Sequence, residues 1–120
     1  MRIAITAQGK DLSSKIDPRF GRAKWLIVLD TETGRSEALD NIVNLNAAQG
    51  AGIQTGRNIA DLVVQAVITG NVGPNAFKTL NAANVKVLLT DAQTVQEAID
   101  LFNADKLKEV GRANVEGHWI

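Results

Sequence analysis

Two short apolar runs, Ala66–Thr69 and Val85–Thr90, constrain the fold of this chain more than any other feature. Both are short for a buried helix but have the usual length of a buried strand. They lie between segments whose apolar residues recur at helical spacing and which start near Ile53, Pro74 and Thr94. Strands that alternate with helices form right-handed crossovers and pair in parallel. The second half of the chain therefore predicts a parallel sheet core with helices on its faces.

The first half of the chain contributes a strand, a long loop and a hairpin. Ile3–Ala7 is a short apolar run typical of a buried strand, and the polar segment Gln8–Arg22 after it is a loop. Lys24–Asp30 and Ser36–Val43 flank the sequence TETGR, whose Gly34 suits a tight turn, so we expect a β-hairpin. The whole chain is thus predicted to be α/β, with a mixed sheet between helices on both faces.

Size, charge and hydropathy restrict the possible partners. A chain of 120 residues, 45% of them apolar, can form one domain with its own core. We expect that domain to span residues 1–107, followed by a C-terminal tail of unassigned structure, residues 108–120. Thirteen basic and thirteen acidic residues leave no net charge, and no apolar run approaches the roughly 20 residues that cross a bilayer. Neither nucleic acid nor a membrane is expected as a partner, and a cytoplasmic location is expected.

The chain has no cysteine and one histidine, His118. The lack of cysteine excludes disulfides, thiolate nucleophiles and cysteine ligation of zinc or iron–sulfur clusters. Because His118 lies in the tail, no serine–histidine or cysteine–histidine catalytic set can be assembled. A role for His118 as a ligand is the lesser alternative, and it would need Trp119 to dock the tail. The composition favours a binding protein over an enzyme.

Glycine-rich turns occur where ligands collect in α/β sheets. If Ile3–Ala7 pairs with Ala66–Thr69, their carboxyl ends bring the long loop together with two segments that lead into helices. These segments are GAG, with Gly50 and Gly52, and GNVGPN, with Gly73, Pro74 and Asn75. A helix start presents unpaired N–H groups and partial positive charge to an anion, and glycine lets a ligand approach the backbone. Glycine is also common in ordinary turns between strands and helices. A ligand-binding role and a purely structural role for these glycines therefore both stay open.

The long loop is rich in cations. Lys10, Lys15, Arg19, Arg22 and Lys24 lie in or beside it, against Asp11 and Asp17. Charges of this kind usually solvate a loop. If the loop folds over the helix starts, however, Arg19 and Arg22 present planar donor forks to an anionic ligand. A nucleotide cofactor is not expected, because the chain has neither a phosphate-loop lysine pattern nor GxGxxG after the first strand.

Several segments together resemble one known family. They are MRIAI at the N-terminus, IDPRFGRA and FGRAKWLIVLD in and after the long loop, GAGIQTGRNIADL, AVITGNVGPNAF and TVQEAIDLF. In this order and spacing they resemble the dinitrogenase iron–molybdenum cofactor-binding family, the NifX-like nitrogenase accessory proteins and their relatives outside nitrogen fixation. The resemblance covers Met1 to Leu107. It implies a ribonuclease-H-like motif, with a five-stranded mixed sheet, and a role in carrying or inserting a metal–sulfur cofactor or its precursor.

One position departs from this family. Members that handle the cofactor have histidine directly before Phe-Gly in the long loop, where this chain has Arg19. The sequence is therefore closer to the wider branch of the family than to a dedicated nitrogenase chaperone. Arginine can still hold a polyanionic cluster reversibly, through charge-assisted hydrogen bonds and without coordinating a metal. The candidate cofactor-binding residues are Arg19, Phe20, Gly21, Arg22, Gly50, Gly52, Gly73, Pro74 and Asn75, and the expected protein partner is one that donates or accepts the cluster.

Two other functions are alternatives to a cluster carrier. A ribonuclease-H-like nuclease needs converging carboxylates, and the first strand has none to join Asp30 and Asp40, so this activity is not expected. A small-anion sensor or protein-interaction module that binds no metal cluster would have the same sequence features. The lack of soft ligands favours that alternative, whereas the family resemblance favours the carrier, which is the function we expect.

Overall fold

The structure, a computed structural model, describes residues 1–41 and 51–114. In this part of the chain, six strands form one sheet and three α-helices pack against it. The strands are β1 (Arg2–Ala7), β2 (Trp25–Asp30), β3 (Ser36–Asp40), β4 (Ala66–Thr69), β5 (Lys86–Leu89) and β6 (Lys108–Val110). The helices are α1 (Ala51–Asp61), α2 (Pro74–Ala82) and α3 (Val95–Asn103), and the long loop ends in a short 3₁₀ turn, η1 (Phe20–Arg22).

The sheet is mixed, with the strand order β3-β2-β1-β4-β5-β6. β1 runs parallel to β4, and β4 runs parallel to β5, which confirms the parallel core. β2 is antiparallel to both β1 and β3 and forms the expected hairpin with β3, with Gly34 in the turn at a φ of +76°. Because β1 and β4 are adjacent and parallel, the loops that follow them leave from the same edge of the sheet.

The sixth strand corrects the expectation of a five-stranded sheet. β6 pairs antiparallel with β5, and its Val110 lies opposite Val87. The strand was missed because it has three residues, of which Lys108 and Glu109 are charged and exposed, so it shows no apolar run. Lys108 is also where the predicted tail begins, so the first part of that tail belongs to the sheet. The ribonuclease-H-like motif and the division of the chain at residue 107 stay predictions.

Helices cover both faces of the sheet, as predicted. One core lies on the side of α1 and α2 and includes Ala4 of β1 and Phe20 of η1. The other lies on the side of α3 and includes Ile3 and Ile5 of β1, whose side chains alternate with Ala4, and Ile16 of the long loop. The long loop therefore contributes a buried side chain to each core, which fixes it against the edge of the sheet.

The ends of α2 and α3 follow the local signals in the sequence. Pro74 is the first residue of α2, and Asn84, just after this helix, has the expected left-handed conformation with a φ of +59°. Thr94 Oγ1 accepts a hydrogen bond from the Glu97 N–H at 3.2 Å, as the capping-box pattern predicts. No helix in the described ranges is long and apolar enough to span a membrane.

Candidate anion-binding site

The long loop crosses the turn between β4 and α2. Arg19 forms an isolated parallel bridge with Asn71, and the Phe20 N–H donates to the Asn71 carbonyl at 3.4 Å. The Asn71 side chain returns a bond, because its Nδ2 donates to the Pro18 carbonyl at 3.2 Å. These contacts place Arg19 directly beside the turn that leads into α2.

Gly70 makes this crossing possible. A Cβ on Gly70 would lie 2.7 Å from Pro18 Cα and 3.0 Å from the Pro18 carbonyl oxygen. Those atoms belong to the backbone or the proline ring and cannot move aside as a flexible side chain can. The requirement for glycine in this turn is therefore one of close backbone approach.

Asp17 joins the loop to the ends of both central strands. Its carbonyl accepts from the Thr6 hydroxyl at 2.8 Å, and its N–H donates to the Thr6 carbonyl at 3.0 Å. The hydroxyl oxygens of Thr6 and Thr69 are hydrogen-bonded at 2.8 Å, and both side chains are fully buried. Buried hydroxyls are stabilising only when they are bonded, so this cluster holds the loop in one position.

The Asp17 carboxylate is half-buried beneath the cations of the loop. Its Oδ1 accepts from the Arg19 N–H at 3.0 Å. Burial raises the pKa of Asp17 above its ordinary value of 3.8, although the bond from Arg19 and the charges of Arg19 and Lys24 act to lower that pKa. The net direction shows that desolvation outweighs the positive charge around this carboxylate.

The predicted residues of the long loop divide between the surface and the core. Arg19 is exposed and Arg22 is half-buried, whereas Gly21 is buried. Phe20 is fully buried in the core on the α1 and α2 side, so its side chain anchors η1. Arg19 is thus the residue of this segment whose side chain is exposed at the surface, and Arg22 is a half-buried cation near it.

The start of α2 is open. Gly73 is the N-cap residue and has no side chain to accept a bond, and Pro74 has no N–H to donate. The first helical bond runs from the Phe77 N–H to the Gly73 carbonyl at 3.0 Å. Within the described part of the chain, the N–H groups of Asn75 and Ala76 have no acceptor. Two donors at the positive end of the helix are therefore without a described partner, one in the exposed Asn75 and one in Ala76, which is 1% exposed.

The structure describes only part of the predicted GAG segment. Gly50 lies outside the described residues, and Gly52 lies in the first turn of α1. α1 packs against both η1 and α2. The approach to α2 is close at Gly56, where a Cβ would lie 3.0 Å from Thr79 Cγ2. The described structure thus brings η1 and α2 together on α1, whereas a role for Gly50 and Gly52 stays a prediction.

Three asparagines support the site and were not predicted. Asn41 is 2% exposed, and its Nδ2 donates to the Ala23 carbonyl at 2.8 Å and to Thr55 Oγ1 at 3.2 Å, which ties the end of η1 to α1. Asn71 and Asn114 are bonded to each other at 2.9 Å. Asparagine is common in turns, and its long-range partners cannot be read from spacing, so the sequence carried no signal for these contacts.

The site offers hydrogen-bond donors and positive charge in place of metal ligands. The chain has no cysteine, and residues 1–41 and 51–114 contain no group of three His, Asp or Glu side chains that could hold a metal ion. His118 lies outside the described residues. Asp30 and Asp40 stand at opposite ends of the hairpin, opposite Arg2 and Trp25 respectively, so they cannot share the divalent ion that a nuclease needs.

Comparison with known proteins identifies the family. The model of the family described as dinitrogenase iron-molybdenum cofactor matches residues 1–105. The chain is 29% identical over 111 residues to the uncharacterized protein MJ0580 of Methanocaldococcus jannaschii, covering 91% of each. The chain belongs to the dinitrogenase iron-molybdenum cofactor family, which confirms the resemblance seen in the sequence.

Two solved structures resemble the whole chain. The apo form of the orange protein from Desulfovibrio gigas is 36% identical with a TM-score of 0.92, and the match covers 95% of this chain and 96% of that one. A candidate NifB protein from Thermotoga is 43% identical with a TM-score of 0.84, and the match covers 97% of this chain and 98% of that one. Both structures match this chain over nearly its full length.

Proposed function

We propose that this member of the iron-molybdenum cofactor family is a non-catalytic, cytoplasmic carrier that reversibly binds an iron–molybdenum or related metal–sulfur cofactor or its precursor. The observation that supports it is the position of Arg19, bonded onto the turn that leads into the open start of α2. A cationic residue with its backbone held in place lies at one edge of the sheet, beside two N–H groups that have no acceptor in the described part of the chain. That combination suits a polyanion with several acceptor atoms.

The proposed binding is by charge and hydrogen bonds. The guanidinium groups of Arg19 and Arg22 offer planar pairs of donors, and the N–H groups of Asn75 and Ala76 offer two more. Donors of this kind can hold the surface sulfur atoms of an anionic cluster without replacing its metal ligands. The cargo can then be passed intact to a protein that donates or accepts it, as a carrier requires.

A small-anion sensor or interaction module without a metal cluster is the alternative function. It is supported by the absence of cysteine from the chain and of a metal-ligand group from the described residues. The same donors would then bind a simple oxyanion. The two functions differ in whether a large metal–sulfur anion binds more tightly than orthophosphate at the same site.

The test is an anaerobic titration with isolated iron–molybdenum cofactor, followed by size-exclusion chromatography and metal analysis. We expect co-elution with the wild type. Replacing Arg19 and Arg22 together by alanine should weaken binding at least about tenfold, because a hydrogen bond to a charged group contributes roughly 1.5–3 kcal/mol. Arg35→Ala is the matched control, since Arg35 is an exposed arginine next to the hairpin turn, at the opposite end of β2.

Three outcomes are informative. Weaker binding by the double variant, with Arg35→Ala unchanged, supports the carrier and its site. Cofactor binding that the double variant leaves intact contradicts the site. Binding of orthophosphate but not of cofactor by the wild type contradicts the carrier and supports the small-anion sensor.

A further inference from the structure

We infer that Asn114 is a positioning residue of this site, which acts through Asn71 to fix the backbone that carries Arg19. The two asparagines form a hydrogen-bonded relay from the segment after β6 to the long loop. Its effect on cargo rests on the proposed function, whereas its effect on the backbone near Arg19 does not.

Asn114 holds the turn before α2 at three points. Its Oδ1 accepts from the Val72 N–H at 2.7 Å, and its own N–H donates to the Val72 carbonyl at 3.1 Å. Its Nδ2 donates to Asn71 Oδ1 at 2.9 Å. Asn114, at the end of the described chain, thus bonds both polar groups of the Val72 backbone, 42 positions away in sequence, and the side chain of Asn71, 43 positions away.

Asn71 continues the relay to the long loop. Its Nδ2 donates to the Pro18 carbonyl at 3.2 Å, the peptide group directly before Arg19. Its backbone carbonyl accepts from the Phe20 N–H, directly after Arg19. Asn71 therefore holds the backbone on both sides of the arginine that we propose contacts the cargo.

The chemistry at the two ends allows one arrangement of the relay. The Val72 N–H can only donate, so Asn114 must turn its amide oxygen toward Val72 and its NH₂ group toward Asn71. The Pro18 carbonyl can only accept, so Asn71 must turn its NH₂ group toward Pro18 and its oxygen toward Asn114. Both amides are oriented by backbone groups, and each orientation is the one that the other asparagine needs.

The bond between Asn114 and Asn71 serves position more than stability. Asn114 is exposed, and its bond to Asn71 lies at the surface, so water can replace that bond if the side chain is removed. Water does not, however, orient the Asn71 amide in one sense. Loss of Asn114 also removes the acceptor of the Val72 N–H, which belongs to a fully buried residue, so the variant should fold but unfold at a lower temperature. The Asn71 side chain and the Pro18–Arg19 backbone should become less well defined.

The first measurement uses the protein without cargo. Amide NMR shifts of Arg19 and Phe20 are compared in the wild type, Asn114→Ala and the control Asn81→Ala, an exposed asparagine of α2. We expect the Arg19 and Phe20 signals to move in Asn114→Ala alone, in a variant that is folded but has a lower unfolding temperature than the wild type because the Val72 N–H has lost its acceptor. Unmoved Arg19 and Phe20 signals would overturn the relay whether or not any cargo binds.

The second measurement is affinity for isolated iron–molybdenum cofactor under anaerobic conditions. Asn114→Ala should weaken binding about tenfold, the loss typical when a group that orients a ligand-binding residue is removed. In an Arg19→Ala background the same substitution should cause no further loss, since the residue that it positions is gone. Unchanged affinity in Asn114→Ala, or a full further loss in the Arg19→Ala background, would overturn the inference. Failure of the wild type to bind would instead count against the proposed function, with the amide shifts still deciding the relay.

Discussion

The starts of α3 and α2 show two opposite uses of the same long loop. At α3, the Val95 N–H donates to the Ser14 carbonyl at 2.9 Å, and the Gln96 N–H donates to the Leu12 carbonyl at 2.8 Å. The Glu97 N–H is bonded to Thr94 Oγ1. The donors of the first turn are all taken by the protein itself, so the start of α3 has nothing to offer an anion.

The start of α2 has the opposite character. Its N-cap, Gly73, provides no acceptor, and in the described part of the chain the N–H groups of Asn75 and Ala76 stay unpaired. The loop brings Arg19 beside this turn, where at α3 it brings carbonyl oxygens. A helix dipole is present in both places, so the difference lies in which loop atoms reach the first turn. The proposed anion site is thus defined by the N–H groups to which the loop supplies no acceptor.

The largest effect should come from Gly70→Ala. This substitution disturbs the place where the long loop crosses the turn between β4 and α2, beside the uncapped start of α2. The added methyl group would lie 2.7 Å from Pro18 Cα, so the loop or the turn must move. Overpacking of this kind costs about 1–3 kcal/mol, and we expect a loss at the upper end together with loss of cofactor binding. Urea unfolding and the anaerobic titration measure the two effects.

Gly111→Ala is the control for that substitution, because nothing lies within 4 Å of the added methyl group. It should leave both the unfolding midpoint and the affinity unchanged. A Gly70→Ala protein as stable as the wild type would show that the crossing tolerates a side chain and that the close approach is not required.

Gly73→Ser tests the open start directly by giving α2 the kind of cap that α3 already has. Gly73 has a φ of −83° and a ψ of 172°, which any residue can adopt. The serine hydroxyl should accept a hydrogen bond from one of the two N–H groups and lower the affinity for cofactor at least about tenfold, since a bond from that N–H to an anion contributes roughly 1.5–3 kcal/mol. Unchanged cofactor affinity, measured by titration in a variant shown to be folded, would mean that the N–H groups of Asn75 and Ala76 take no part.

The same contrast explains what could be predicted from the sequence. Signals that act over a few residues were correct: β4 has the expected bounds, Pro74 opens α2, and Thr94 caps α3. The first turn of α3 is bonded by the backbone carbonyls of Leu12 and Ser14, and the backbone next to Arg19 is held by the carbonyl and the side chain of Asn71. Backbone carbonyls are the same in every sequence, and the distant partner of an asparagine side chain cannot be read from spacing. Local pattern therefore located the helix starts but could not tell the closed one from the open one.

Thr94→Ala should have a moderate effect on stability and none on binding. Removing the N-cap hydroxyl frees the Glu97 N–H and should lower the free energy of unfolding by about 1 kcal/mol, measured with urea. The Val95 and Gln96 N–H groups stay bonded to the loop, so α3 should not become an anion site. New anion binding by Thr94→Ala would contradict the view that the loop carbonyls close this helix start.

The smallest effect should be that of Asp17, the carboxylate beneath the open site. Burial raises the pKa of Asp17 in the folded protein above the ordinary 3.8 that it has when unfolded. The unfolded chain therefore releases this proton at lower pH than the folded protein does. It follows that the stabilising contribution of the protonated form is fully present below the unfolded pKa and is lost as the pH rises through the folded pKa.

Asp17→Asn separates the charge of this carboxylate from its geometry. The amide oxygen can still accept the Arg19 N–H, so the loop should keep its position. The variant should lose the part of the pH dependence of unfolding that comes from Asp17. Above the raised pKa it should bind cofactor slightly more tightly than the wild type, because a negative charge beside Arg19 is gone. Weaker binding in a correctly folded Asp17→Asn would show that the carboxylate holds Arg19 in place by its charge. The balance of charges, as well as the unpaired N–H groups, would then distinguish the start of α2 from that of α3.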